Sequence, residues 1–427
     1  MAASSYKTML AYQQLGSKAD VAQLIEDIKK KNLIPRSEDR LPIDENLGEK
    51  GVEARRAFVR EKTKKKFDLL MSEPKALDLN CFDGNIENYI GLTQVPTGIV
   101  GPLRVIGSAA KGDFFIPLAT SEGALVASSH RGAKACYEAG GAVSVCLIEG
   151  VQRSPLFKFS SIADLGMFVG WILPQLEKFG EITKENSRYA ELRDVRSQIE
   201  GNQLILTFEF TTGDASGQNM VTICTDAICQ YIIAHSPIQP EYWFIEGNYS
   251  GDKKATALSF TNVRGKKVTS EIVIPKKIVE SVLKTNVKAM EAYWRSSTLG
   301  IIQSGAIGAQ GHYANALAAL FLATGQDVAC VAEAAIGITR MESTTEGDLY
   351  ASVTLPNLIV GTVGGGTSLP TQKECLELMD CFGEGKARKF AEICGALVLA
   401  GELSIAAALS AGHFTSAHKN LGRRKKM

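Results

Sequence analysis

The chain of 427 residues has almost no charge imbalance: 47 lysines and arginines stand against 46 aspartates and glutamates, a formal net charge of +1. No one-sided field is available to recruit nucleic acid or an anionic membrane, and neither is expected as a partner. The nine cysteines are an odd number without paired spacing. That excludes a disulfide framework and a structural zinc pattern, and predicts free thiols in a reducing compartment with no metal. The N-terminus lacks the basic-then-apolar order of a signal peptide, so a cytoplasmic location is the expectation. The longest uncharged run, Leu299 to Gln326, holds Gln303, Gln310, His312, Asn315 and five glycines, so it reads as buried helix and loop rather than a membrane span. There is no repeat of 20–50 residues. No G-x-G-x-x-G follows a strand and no P-loop occurs, so any nucleotide is held by something other than those two devices.

An apolar fraction of 45% with 22% charged residues belongs to a globular protein, and this length predicts two or three domains. Residues 1–86 read as a helical N-terminal domain. Ser17 and Asp20 resemble a capping box, Val21, Leu24, Ile25 and Ile28 form a stripe that Pro35 ends, and a charged helix follows over about Glu53 to Met71. Near Cys81 the composition turns to glycine, proline and β-branched residues.

Further on, Ser161–Leu173 reads as helix and Gln203–Phe210 as strand. The small residues Thr211–Met220 then open a helix running to about His235, and such a turn can offer free backbone N–H groups to an anion. The strand-like Glu241–Ile245 breaks into Gly247-Asn248-Tyr249-Ser250-Gly251-Asp252-Lys253-Lys254. A lysine held near a carboxylate in a partly dry loop can stabilise an oxyanion. Taken alone, the loop reads first as a solvated turn with a surface ion pair. Lys267–Pro275 reads as strand, Lys276–Arg295 as one amphipathic helix, and about Gly385–Ala411 as the last helix. Gly361–Thr367 is a glycine-dense loop. Glu122 falls at the start of a helix beside an apolar run, where desolvation would raise its pKa towards general-acid range while the helix dipole opposes it. By itself it reads better as a glutamate serving that dipole.

In order along the chain, Glu87–Gly91, Thr120–Gly123, Asp214–Asn219, Gly247–Lys254, Gly325–Asp327, Gly361–Thr367 and Gly401–Ser404 together resemble the class I 3-hydroxy-3-methylglutaryl-coenzyme A (HMG-CoA) reductases. The resemblance runs from about Glu87 to the C-terminus. It implies an α+β fold: the helical domain 1–86, a large central α/β domain formed by 87–153 and 245–411, a small ferredoxin-like NADP-binding domain at 154–244, and a mobile tail at 412–427. It implies reduction of HMG-CoA to mevalonate and CoA with two NADPH, no metal, and a homodimer or homotetramer whose active site lies at the subunit interface.

Residue by residue, the resemblance makes Glu122 the proton donor to the substrate carbonyl oxygen and Lys253 its electrostatic partner. Asp327 sets the charge state of both, and His418 protonates the departing thiolate. It places Ser187, Arg188, Asp214, Ala215, Ser216, Gly217, Gln218, Asn219, Met220 and Arg423 at the cofactor, with the arginines suited to a 2′-phosphate. It places Ser128, Arg131 and Lys134 along the CoA site, and Arg153, Asp252, Lys254 and Asn315 around the acyl group.

The chain departs from the family at Glu246, where serine is usual, and at Ser296 and Ser297, where a lysine is expected beside Arg295. The segment before His312 is one residue shorter, and Asp214–Asn219 lacks the usual methionines. A catalytically weak binding homologue and a CoA-dependent acyl transferase are the alternative function classes.

Overall fold

A computed structural model describes Met9 and residues 49–67, 79–82, 84–86, 88 and 92–413. The stripe Val21–Ile28, most of Glu87–Gly91, and the tail residues His418 and Arg423 lie outside the described residues.

The elements are α1 (Glu49–Thr63), β1 (Thr97–Gly107), β2 (Lys111–Ala119), α2 (Leu125–Glu138), β3 (Ala142–Arg153), β4 (Leu156–Lys158), α3 (Ile162–Ile172), α4 (Leu176–Asn186), β5 (Glu191–Glu200), β6 (Gln203–Thr211), α5 (Gln218–His235), β7 (Tyr242–Phe244), β8 (Gly265–Ile274), α6 (Val287–Ser304), α7 (Tyr313–Thr324), β9 (Ile338–Ser343), β10 (Leu349–Leu358), α8 (Pro370–Leu378) and α9 (Ala387–Ser410). This is the expected α+β mixture. The main path of the sheet runs β7-β4-β6-β3-β8-β10-β9, with β1 joining β2 to β3 and β5 flanking β6.

β3 belongs to both of two hydrophobic cores. Its residues Val143–Gly150 pair with β8, whereas Val151–Arg153 pair with β6. Around its first half sits a large core in which α9 is central, lined by Phe390, Leu397, Leu399 and Leu403 among others. Close approach by glycine makes that packing possible: a Cβ on Gly132 of α2 would stand 1.8 Å from the Ala400 carbonyl oxygen of α9. α9 is long and apolar enough to cross a membrane, but 78% of its apolar window is buried inside the protein, as a core helix requires.

Around the second half of β3 sits a smaller aromatic core. Phe157, Phe159, Phe168, Phe179, Phe208 and Phe210 are all fully buried there. Each contributes about 1.5–3 kcal/mol relative to exposure. Arg153, the last residue of β3, closes its second half, and the chain from β7 back to β8 passes it through Glu246 and Asp252.

Two expected helices differ from the structure. Lys276–Arg295 is not continuous: its first piece ends at Lys284 (φ 59°), and Asn286 caps a new helix, α6, by accepting from the Ala289 N–H at 2.9 Å. Asparagine offers its own side chain to the helix's unpaired donors, so it starts helices more readily than it continues them. The charged helix α1 ends at Thr63 rather than Met71, because Lys64 turns left-handed (φ 57°) at the head of three consecutive lysines. The expected helix Ser161–Leu173 is found as α3, with Ser161 as its cap accepting from the Asp164 N–H.

Candidate active site

Three glycine-bearing segments converge because their backbones touch. A Cβ on Gly325 would stand 2.1 Å from the Gly366 carbonyl oxygen, and one on Gly361 would stand 2.5 Å from the Ser216 nitrogen. Gln326 fastens the junction, accepting from the Gly361 N–H at 2.9 Å and donating to its carbonyl at 3.0 Å. The result brings Gly325–Asp327, Gly361–Thr367 and Asp214–Gln218 into one corner of the molecule.

Lys253 enters that corner. Its Nζ lies 3.0 Å from Asp327 Oδ2, with the lysine side chain 47% exposed. Asp327 also caps the short turn Val328–Cys330, accepting from the Ala329 N–H at 3.0 Å. Burial pushes the Asp327 carboxyl up, but the hydrogen bond and charge of Lys253 outweigh it and leave the group below its ordinary value. Lys253 is held above its ordinary value, first by the hydrogen bond to Asp327 and against partial burial. Gln218 Nε2 donates towards Asp327 Oδ2 at 3.5 Å and to Cys330 Sγ at 3.1 Å. The loop keeps the exposed ion pair of a solvated turn, but its ammonium is paired across 74 residues of sequence with a carboxylate fixed by its own backbone contact.

A chain of alternating charges holds this loop from below. Lys253 has a left-handed backbone (φ 56°), which costs a non-glycine residue roughly 1–2 kcal/mol. Its N–H donates to Glu333 Oε1 at 3.0 Å. Each Glu333 carboxylate oxygen also accepts from Arg264 Nη1, at 2.6 and 2.7 Å, and both side chains are buried. Arg264 also pairs with Asp252 at 2.9 Å, and Asp252 with Arg153 at 3.1 Å. Arg153 completes the chain by donating to Glu246 at 3.3 Å. Burial raises the Glu333 carboxyl above its ordinary value even though Arg264 pulls it down. Arg264 and Glu333 carry no sequence signal, since 69 residues separate them and neither belongs to a motif. Lys254 stays near the surface, its Nζ donating to the Asp252 carbonyl at 2.9 Å.

Glu246, the departure from the family pattern, is engaged rather than free. Besides Arg153 it accepts from the N–H groups of Ser154 at 3.3 Å and Tyr249 at 3.1 Å, so it shapes the loop that carries Lys253. At the other departure, the Ser297 hydroxyl donates to the Trp294 carbonyl at 3.0 Å, and Arg295 pairs with Glu291 at 3.1 Å on the exposed side of α6.

Glu122 belongs to a second group. It lies three residues before α2, with its N–H donating to the Thr120 hydroxyl at 3.0 Å, and its carboxylate accepts from Asn315 Nδ2 at 3.2 Å. The expected desolvation is not observed within this chain: Glu122 is exposed, because the turn Ser121–Gly123 stands clear of the apolar strand that precedes it. Among the described contacts, one chain joins Lys253 to Asp327 and Glu122 to Asn315 but does not join the two pairs.

The remaining candidates fall into two places. On α2, Ser128 and Arg131 bind Ser404 of α9: hydroxyl to hydroxyl at 2.9 Å, and guanidinium to its hydroxyl at 3.1 Å and its carbonyl at 2.7 Å. Burial draws the Arg131 guanidinium below its ordinary value. Lys134 is exposed, 3.9 Å from Glu138. Around α5, Asp214 caps the approach to α9, accepting from Gly385 N–H at 2.7 Å and Ala387 N–H at 2.9 Å, while its carbonyl accepts from Thr362. Ala215 bridges Val363, Asn219 is exposed, and Met220 packs on the aromatic core. Gly217 (φ 81°) begins α5 without a side-chain cap and is itself buried against the Thr212 side chain. Ser187 turns the chain after α4, accepting from the Tyr189 and Ala190 N–H groups, and Arg188 is exposed beside it. Tyr189 donates to Glu384 at 3.4 Å, so the Ser187-Arg188 corner and the Asp214 loop border the same stretch, Glu384–Ala387.

A fixed ammonium–carboxylate pair beside open backbone loops is the equipment of an enzyme that stabilises negative charge developing on a substrate oxygen. The hydroxymethylglutaryl-coenzyme A reductase family model matches residues 51–423. The 3-hydroxy-3-methylglutaryl-coenzyme A reductase of Pyrococcus horikoshii is 46% identical over 346 residues, 79% of this chain and 84% of that one. The Methanocaldococcus jannaschii enzyme of the same name is 42% identical over 389 residues, covering 89% and 95%. Among solved structures, the class II 3-hydroxy-3-methylglutaryl-CoA reductase of Streptococcus pneumoniae bound to NADPH shares the fold (TM-score 0.61, 20% identity, 78% of this chain and 79% of that one). A second structure of the Streptococcus pneumoniae reductase gives a TM-score of 0.63 at 17% identity, covering 93% and 87%. The chain belongs to the hydroxymethylglutaryl-coenzyme A reductase family.

Proposed function

We propose that this protein is an NADPH-dependent HMG-CoA reductase of the mevalonate pathway, and that Lys253, Asp327, Glu122 and His418 carry its chemistry. The observation that supports this reading most is the 3.0 Å Lys253–Asp327 pair, set in the corner where three family motifs meet. NADPH, when bound, supplies the hydride. As the substrate carbonyl oxygen gains charge, the Lys253 ammonium stabilises it, and Asp327 keeps that ammonium protonated and aimed. Glu122, oriented by Asn315, delivers the proton to that oxygen. His418, on the tail, protonates the leaving thiolate, a role suited to an imidazole near neutral pH.

The residues around α5 fit the cofactor on two grounds. The α5 N-terminus at Gly217 has no side-chain cap, and Arg188 is exposed beside the Glu384–Ala387 stretch that the same loop touches. Arg188 would hold the 2′-phosphate, with Arg423 as a second cation. Asp214 would serve by holding its loop, since its carboxylate is committed to Gly385 and Ala387. Ser128 and Arg131 would line the CoA site through their methylene and backbone surfaces, their polar atoms being bound to Ser404.

The active molecule would be a homodimer or a homotetramer. Leu299, Ile302 and Ile338 are exposed large apolar side chains, and nearby Ala306, Ile307 and Ile336 line an apolar cavity of about 360 Å³ that also includes Ala255 of the catalytic loop. A second copy covering this face would desolvate Glu122 and bring it to the Lys253–Asp327 pair of its neighbour. The decisive assay follows NADPH oxidation by absorbance. Oxidation that depends on HMG-CoA, with about two NADPH consumed per thiol released, supports the reading; no absorbance loss under any condition refutes it.

A further inference from the structure

One buried carboxylate has no part in the chemistry above and yet touches the backbone that carries it. Glu402, on α9, is 4% exposed and lies in the middle of the large core. Burial without partners would cost a carboxylate several kcal/mol, so its bonds identify what it is there to hold. Its two oxygens accept from the Gly311 N–H at 2.8 Å, the His312 N–H at 2.6 Å and the Thr339 hydroxyl at 2.7 Å. Gly311 and His312 form the entry to α7, where first-turn N–H groups have no helical acceptor. The His312 carbonyl accepts from the Asn315 N–H at 3.1 Å, and the Asn315 side chain donates to Glu122 at 3.2 Å. An unbroken path of hydrogen bonds therefore leads from Glu402 through His312 and Asn315 to Glu122.

The next turn of contacts on α9 acts on the same carboxylate from its other side. Ser404 binds Ser128 and Arg131 of α2, the helix that begins three residues after Glu122. Residues 402 and 404 thus fix both segments that meet at Glu122: α7 through Glu402 and α2 through Ser404.

We infer that Glu402 is a positioning residue for the reaction, setting the entry of α7 so that Asn315 presents Glu122 to the substrate oxygen. The inference rests on the reading of Glu122 as the proton donor.

Glu402→Gln keeps the shape but puts an amide NH₂ against donors that need an acceptor. The expected result is a fall in kcat of about 10- to 100-fold, the scale on which small misplacements act. KM for NADPH should stay within about twofold, and the circular dichroism spectrum should be unchanged. In an Asn315→Ala background the same substitution should lower kcat by less than about twofold, because the path is already cut. Wild-type kcat in Glu402→Gln with only a lower melting temperature would overturn the inference, as would losses that multiply in the double variant. Gly311→Ala gives a second route should Glu402→Gln fold poorly. Its Cβ would stand 2.9 Å from Glu402 Oε1 and shift the carboxylate without removing it. A lowered kcat at constant NADPH KM is expected there too, and an unchanged kcat would overturn the inference. Glu122→Gln, run alongside, separates the two readings. Full activity there overturns the proton-donor assignment and with it this inference; loss there with wild-type kcat in Glu402→Gln overturns the positioning alone.

Discussion

The Lys253 backbone N–H ends on the buried carboxylate of Glu333, 3.0 Å away, and so the left-handed turn of the Gly247–Lys254 loop is anchored by a residue with no place in the family motifs. Glu333 in turn neutralises Arg264, whose side chain is 1% exposed. Glu333→Gln would leave that guanidinium buried beside a neutral amide, with Asp252 as its remaining charged partner. Breaking one member of a buried pair costs about 3–5 kcal/mol. Urea titration of the variant should show a fall in unfolding free energy of that order, and a change under about 0.5 kcal/mol would mean that Arg264 and Asp252 suffice.

Asp327 makes a second prediction through pH. Lys253 lies above its ordinary value of 10.5 because Asp327 bonds it, so its charge is lost only as pH rises through that raised value. Asp327 lies below its ordinary value of 3.8, so the pair persists until pH falls through that depressed value. Both groups are more than a third exposed, and solvent screens the energy of the pair. Asp327→Asn removes the acceptor charge and lets the lysine titrate lower. The alkaline limb of kcat against pH should move to lower pH in the variant, along with a lower maximum. An unmoved limb would show that some other group sets it.

The nucleotide assignment is tested by discrimination between cofactors. Arg188 is exposed and has nothing but a terminal phosphate to recognise under the reading above. A charge-assisted bond of this type is worth about 1.5–3 kcal/mol. Arg188→Ala should therefore raise KM for NADPH by about 10- to 100-fold and KM for NADH by less than about twofold. Equal effects on both would remove Arg188 from the 2′-phosphate.

Much of this was legible in the sequence, for identifiable reasons. The helix read at Ser161–Leu173, the strand Gln203–Phe210 and the helix ending at His235 obey local rules of periodicity and turn chemistry, and local rules are visible in one dimension. Lys253 and Asp327 were legible only through their motifs, since nothing local says that residues 74 positions apart will meet. Arg264, Glu333 and the partners of Glu402 were not legible, because buried charge pairing is decided by which backbones the fold brings together. The same limit applies to Glu122, for which a desolvated carboxyl and a glutamate serving the helix dipole both fitted the sequence. An apolar strand before it suggested desolvation, but the turn Ser121–Gly123 carries the side chain outward. Lys276–Arg295 was misjudged for a different reason, in that its amphipathic period continues through Asn286 while the asparagine side chain restarts the helix.

Glu246 supplies the last prediction, because it stands where the family has serine and yet is bound into the loop. Its carboxylate takes Arg153 and three backbone N–H groups, so the loop depends on it. Arg153 is nonetheless shared between Glu246 and Asp252, and its Nε is buried without a hydrogen-bond partner. A substrate carboxylate approaching that guanidinium must compete with Glu246 for it. Glu246→Gln keeps one oxygen to accept from the backbone and removes the competing charge. Relief of that competition should lower KM for HMG-CoA by about two- to fivefold with kcat little changed. The fall should shrink as salt is raised, because the competition is electrostatic. A higher KM in Glu246→Gln would instead make the carboxylate part of the binding surface, with Arg153 oriented by it rather than occupied.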